Sequence, residues 1–343
     1  MQSITSITAA QLRLLNRPPG AGELLELAEY GFSLRATDRK EMLKWCELAA
    51  SHLSQATAIG ESTLVRAHYG NALRVNLQVE RARAVALVAL ELAEPNPDPF
   101  ILEALGSIYY SLRDFDSAYS VLARASVLRQ QPPHREHLLR TLLQTAIVLD
   151  QAGRSTEAVD YAARVLAVAP DYGILRVAVQ NIGLFLTNSG QPSTALRLLK
   201  HTQDLVRQGG KVHEHQLDWL LAKIANAQRR YNDAIELFET AGRGFEAADA
   251  PQLAALVRLE LAYVHLYHGD YPAAREALIG VRPFLTAIGL KRDSSASRLL
   301  EIAVSSSISA EACRDVVKAL VASVDGCTSA GTCETLLSSL APR

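Results

Sequence analysis

The side chains best equipped for chemistry are the nine histidines and four cysteines, and their spacing argues against catalysis. His213-Glu214-His215 is the densest grouping. On a helix its two imidazoles project about 200° apart and cannot share one metal ion. His265 and His268 are three apart and can face the same way, but no carboxylate stands one turn away on that face. Both groupings read as surface or helix-end histidines. Cys327 and Cys333, separated by five residues, could pair or share a metal, but two free thiols in a small turn and helix are the plainer reading. With Cys46 and Cys313 they make no disulfide framework for a chain of 343 residues, so reduced thiols are expected. The sequence has no Gly-rich loop ending in Lys-Ser/Thr, no Gly-x-Ser-x-Gly elbow and no His-Glu-x-x-His pair. The expectation is a protein without enzymatic activity, metal or cofactor.

Charge narrows the partners. Formal net charge is −1, so no global field draws the chain to phosphate. Arg66, Arg74, Arg81 and Arg83 form a local basic stretch that reads as a solvated helix face, and direct nucleic-acid binding is not expected. The N-terminus lacks a basic start followed by an apolar run, and no segment offers ~18 uninterrupted apolar residues. A cytoplasmic protein without a membrane span is expected.

The elements that would position a site come from repetition. Ala82, Ala118, Ala158, Ala195, Ala234 and Ala274 are separated by 36, 40, 37, 39 and 40 residues, and twelve residues before each lies Gly70, Gly106, Ala146, Gly183, Ala222 or Ala262. Between Leu102 and Val127, apolar residues recur at helical spacing, break at Arg113-Asp114-Phe115, and resume from Ala118. The same break recurs at Gly153, Gly190, Arg229 and Gly269. This predicts helix, turn, helix in each unit, with small residues where paired helices approach closely. Glycine supplies the positive φ that ends a helix, and Pro192 and Pro272 suit the first turn of the next. Most of the thirteen prolines fall at such breaks.

These units resemble the tetratricopeptide repeat family. The resemblance rests on Gly106, Tyr109, Asp114-Phe115, Ala118 and Ala125, on Ala146, Gly153, Ala158 and Pro170, and best on Gly269-Asp270-Tyr271 with Ala274. It covers residues 61–290, with units longer than the family's usual period of about 34. Units of this length look like those in the regulatory arms of large bacterial transcription activators and in peptide-sensing regulators. The resemblance implies an all-α, right-handed superhelical solenoid of antiparallel helix pairs. Residues 1–60 are expected to form a divergent helical pair or cap, 61–290 the repeats, and 291–343 capping helices, in one continuous solenoid.

In the family, first helices line a concave groove at fixed offsets from the small position. Carried onto this chain, those offsets select Asn71, Arg74, Tyr110, Arg140, Gln180, Asn188, Trp219, Lys223, Asn226, Tyr263 and Tyr267 as the partner-binding face. Amides can both donate to and accept from an extended backbone, aromatic rings can anchor apolar side chains, and cations can meet a carboxylate. A family subtype that clamps chaperone tails is disfavoured, because Ala67 stands where its first Lys would be. The expected function is a scaffold or adaptor holding a peptide segment or helix of a protein partner. The alternative is a regulatory sensor whose superhelix responds to a short peptide or small effector and acts on a transcription or signalling partner. The apolar residues from Val304 to Leu320 could cap the stack or pair with a second chain as a homodimer.

Overall fold

The computed structural model describes residues 20, 22–76, 78–132, 137–168, 172–207, 209–287 and 291–305. Among them helices and turns account for the ordered backbone, and no strand occurs. The chain divides into two compact units, Met1–Ala152 and Gly153–Arg343.

The first unit contains α1 (Glu23–Ser33), a 3-10 turn (Leu34–Ala36), α2 (Arg39–Ser51), α3 (Ile59–Val75), α4 (Val79–Ala93), α5 (Pro99–Ser111), α6 (Phe115–Arg129) and α7 (Leu138–Gln151). The second contains α8 (Ser155–Val168), α9 (Tyr172–Asn188), α10 (Pro192–Arg207), α11 (Lys211–Ala227), α12 (Tyr231–Ala247), α13 (Pro251–Tyr267), α14 (Tyr271–Ala277), α15 (Val281–Ala287) and α16 (Lys291–Ser305). Consecutive helices pack on one another, with α3 on α4, α5 on α6, α9 on α10, α11 on α12 and α12 on α13.

The repeated small residues sit where those pairs touch. Ala82, Ala118, Ala146, Ala158, Ala195, Ala222, Ala234, Ala262 and Ala274 are all fully buried. Gly106 shows why size matters: a Cβ there would lie 2.6 Å from Leu122 Cγ on α6. At Gly183 the same atom would meet Leu220 Cδ2 at 3.1 Å, which is close but less severe. Bulk at either position would force the helices apart.

The turns follow one geometry through different residues. Gly190 and Gly269 hold φ of 81°, and Arg113 and Arg229 occupy the corresponding places at φ 64° and 60°. Each turn repeats the two reverse bonds of a Schellman cap: Arg113 N to Tyr110 O at 3.0 Å with Asp114 N to Tyr109 O at 3.0 Å, and Gly269 N to Leu266 O at 3.1 Å with Asp270 N to His265 O at 2.9 Å. Asp114 and Asp270 then cap the following helices, accepting from Ser117 N and Ala273 N, each at 3.1 Å. The sequence expectation of glycine at this turn therefore holds for some units, while an arginine bears the left-handed strain in others.

In the first unit α1 and α2 cover the start of the stack. Leu24, Leu27 and Ala28 pack with Ala49 and Val65, while Met42 and Cys46 pack with Ala72. Burial pushes the Cys46 thiol up to about 12, and its Sγ donates to Ala28 O at 3.6 Å. It is a core side chain, not a nucleophile. In the second unit Phe238 and Phe245 of α12 join Val257, Leu261, Leu300 and Val304 in the main core. Residues beyond Ser305, including most of the Val304 to Leu320 run and Cys313, Cys327 and Cys333, lie outside the described residues.

Candidate functional site

In the first unit the sequence-selected side chains have different surroundings. Asn71 is buried on α3 and accepts from Arg74 Nε at 3.4 Å. Burial, with the nearby Arg39 charge, holds the Arg74 guanidinium below its usual range. Neither Arg74 nor Arg140, which is exposed on α7, has a carboxylate partner among the described residues. Tyr110 stands on α5 with its ring centroid 6.2 Å from that of Phe115, and the Arg113 guanidinium lies 5.8 Å from the Tyr110 ring. The family offset also selects Glu103, but this carboxylate is committed to packing. Arg129 donates to it through Nε at 2.8 Å and Nη2 at 2.9 Å, and Thr141 Oγ1 donates to the same carboxylate. Gln144 then donates to Glu103 O at 3.2 Å and to Ser107 Oγ. One buried ion pair thus fastens α5, α6 and α7 together.

The basic stretch disperses once folded. Arg66 donates to Ser62 O at 3.1 Å and to Ser62 Oγ within α3. Arg81 donates to Tyr69 Oη at 3.1 Å and lies 3.7 Å from Glu47, while Arg83 pairs with Glu80 at 2.9 Å. These cations stand on two helices with local partners and do not present one continuous strip.

In the second unit, Gln180 on α9 and Asn226 on α11 are half-buried amides that make no side-chain hydrogen bond among the described residues. Asn188 is exposed at the end of α9. The two helices pack against one another, so both amides belong to successive first helices of the same unit. Beside Asn226 on α11 lies a polar cluster that the sequence reading resolved only in part. Trp219 Nε1 donates to Glu260 Oε2 at 3.1 Å, and Lys223 Nζ donates to Glu260 Oε1 at 2.8 Å. The same Nζ lies 5.6 Å from the Trp219 ring centroid. Phe245 meets that indole edge-on at a centroid distance of 6.0 Å. Tyr263 is half-buried against the main core, and the Tyr267 ring tilts against Tyr231 at 5.5 Å. Trp219 and Tyr263 therefore combine packing with partial exposure.

Glu260 was missed because it sits two residues before the small position Ala262, off the family's ligand-facing offsets. A signal was available: it lies 37 residues after Lys223, about one repeat period, where a salt-bridge partner on the next first helix would fall. The histidines separate. His213 Nδ1 is 2.9 Å from Gln216 Oε1, whereas His215 approaches Asp218 at 3.6 Å and packs against Gly244. His265 is buried, which depresses its pKa, and His268 is exposed. Among the described residues no three His, Cys, Asp or Glu side chains converge as a metal site. None of the described helices is long and apolar enough to cross a membrane.

Helix pairs closed by small residues and joined by Schellman turns give the described residues a tetratricopeptide-like fold. Residues 101–136 match the tetratricopeptide repeat family directly. No curated protein matches the sequence. Among solved structures, the chain resembles a Rap protein complexed with Competence and Sporulation Factor, with a TM-score of 0.70, 15% identity, and coverage of 94% of this chain and 91% of that one. The apo quorum sensor NprR from B. thuringiensis gives a TM-score of 0.63 at 12% identity, with coverage of 93% and 92%. The Rap conjugation gene regulator of plasmid pLS20, in complex with the Phr* peptide, gives 0.52 at 14% identity, with coverage of 87% and 95%. At such identities the likeness defines the fold.

Proposed function

We propose that this chain is a non-enzymatic, cytoplasmic scaffold that binds a peptide segment or helix of a protein partner along its first helices. The observation that carries this reading is the pair of half-buried amides Gln180 and Asn226, which lack side-chain hydrogen bonds among the described residues. A half-buried amide in that state can exchange its water for the N–H and C=O of an extended backbone laid across it. Arg74 and Arg140 supply cations without a carboxylate partner among the described residues, suited to an acidic side chain or a chain terminus. Trp219, Tyr263 and Tyr267 supply ring surface for apolar anchors. In this reading the helix pairs within residues 61–290 are the binding repeats. No nucleic acid takes part.

The sensor reading is favoured by a separate observation. Two of the similar solved structures are complexes, one with Competence and Sporulation Factor and one with the Phr* peptide, and a third is a quorum sensor. A short peptide would then act by changing the pitch of the repeats, which is a small adjustment at each nearest-neighbour interface.

Selection from a displayed peptide library on immobilised wild-type protein tests the binding claim, with Gln180→Ala/Asn226→Ala as the parallel target. Peptides are expected to be enriched on wild type and to bind the variant at least about tenfold more weakly, equivalent to ~1.4 kcal/mol. The melting temperature should be unchanged. Equal binding to both proteins would remove these amides from the site. A change in hydrodynamic radius on addition of the selected peptide would identify the sensor, and an unchanged radius the adaptor.

A further inference from the structure

One outward-facing helix surface differs from its counterparts elsewhere in the chain. In each helix pair the second helix exposes one side, and on α10 and α12 that side carries residues such as Arg197, Lys200 and Asp204, or Glu236, Glu239 and Arg243. Neither exposes a large apolar residue, while α6 exposes Val127 and α8 exposes Val168, one each. On α4 three are exposed: Leu87 at 41%, Val88 at 44% and Leu92 at 45%. With the exposed Ala84 they follow helical spacing and form one stripe. Scattered apolar residues need no explanation, but a stripe confined to one of several equivalent helices marks a contact surface.

The charges beside the stripe point to its occupant. Arg83 lies four residues before Leu87 and Glu91 four residues after it, both exposed. Arg83 is held by Glu80 at 2.9 Å, whereas Glu91 has no ion-pair partner among the described residues. An antiparallel α4 from a second copy, crossing at Leu87, brings Arg83 of each chain opposite Glu91 of the other. A two-fold axis satisfies both pairs at once: Leu87 and Val88 meet their own equivalents beside the axis, and Leu92 of each copy lies over the exposed Ala84 of the other. We infer that the exposed face of α4 is a self-association surface, joining two copies of this chain through an antiparallel α4 pair. It is distinct from the first-helix face proposed for peptide binding and from the C-terminal run.

A contact one helix wide is smaller than the roughly 800 Å² per partner of a standard interface. The dimer therefore belongs to the weak, transient class of contacts. Sedimentation velocity of the full chain between ~1 and ~300 µM tests this, a range chosen to span that weak affinity. Wild type is expected to shift from monomer to dimer. Leu87→Glu should raise the dissociation constant at least about tenfold, and Arg83→Glu and Glu91→Arg should each weaken association. The double variant Arg83→Glu/Glu91→Arg should recover it, because the swapped charges again face one another across the axis. Circular dichroism melts of all four variants verify that they are folded, as expected for exposed positions. Wild-type protein that remains monomeric overturns the proposal, as does a dimer that Leu87→Glu leaves intact. A double variant no stronger than the single ones overturns the antiparallel pairing.

Discussion

His68 illustrates how a residue can be polar in type and apolar in use. It is buried on α3 with its ring centroid 4.4 Å from Phe100 and 5.2 Å from Phe32, and its Nδ1 has no hydrogen-bond partner. Burial pushes its pKa down to about 4 from an ordinary 6.5. In the window between those values the unfolded chain binds more protons than the folded one, so stability falls as pH falls from about 6.5 toward 4. The contribution is at most about 3 kcal/mol. Urea titrations of wild type and His68→Phe at pH 7 and pH 4.5 should show a smaller acid loss for the variant. The same loss in both would place the acid sensitivity elsewhere. Cys46 follows the same logic, with a thiol kept neutral by its surroundings.

At the scale of the element, helix pairing is governed by whether a methyl group fits. A Cβ on Gly106 would collide with Leu122 Cγ at 2.6 Å, close to the backbone of a fully buried residue. On Gly70 the nearest atoms, Ala82 O at 3.4 Å and Ala86 Cβ at 3.5 Å, are at ordinary contact distance. Alanine also stabilises a helix over glycine by about 0.5–1 kcal/mol. Gly70→Ala should therefore leave the melting temperature unchanged or raise it, while Gly106→Ala should destabilise by about 1–3 kcal/mol through overpacking. Thermal melts that move in the same direction for both would break the link between these small positions and pair spacing. The turns obey a similar constraint, but with backbone torsion as the variable. Arg113 and Arg229 hold left-handed φ because the reverse hydrogen bonds of the cap require it.

For the whole molecule, stability should be distributed by neighbourhood, since each helix packs chiefly on those next to it in sequence. The chain resolves into two compact units, and each has its own buried clusters. Phe238 is 1% exposed in the second. Phe238→Ala should cost about 3–5 kcal/mol locally. Amide hydrogen exchange is expected to accelerate across α11 to α13, while α3 to α6 retain their protection. Uniform acceleration across both units would show a single cooperative fold.

The sequence by itself determined the period, the pairing of helices, the small residues at their contacts and the position of each turn. These are legible because helix periodicity and close approach leave marks at fixed local spacing: Gly106 precedes Ala118 by twelve residues, as Ala222 precedes Ala234. It also placed Trp219 and Lys223 on one helix, four residues apart. Only the tertiary structure decided that Glu260 joins them, that Glu103 is enclosed by Arg129 and Thr141, and that Asn71 is buried. Those contacts link residues about one repeat apart or compete for one surface. A periodic pattern specifies the face on which a side chain stands but not the atom it meets, because that depends on how neighbouring helices are offset and rotated. The same reason kept the α4 stripe hidden, since Leu87, Val88 and Leu92 are apolar residues in an Ala-rich helix until packing leaves them outside.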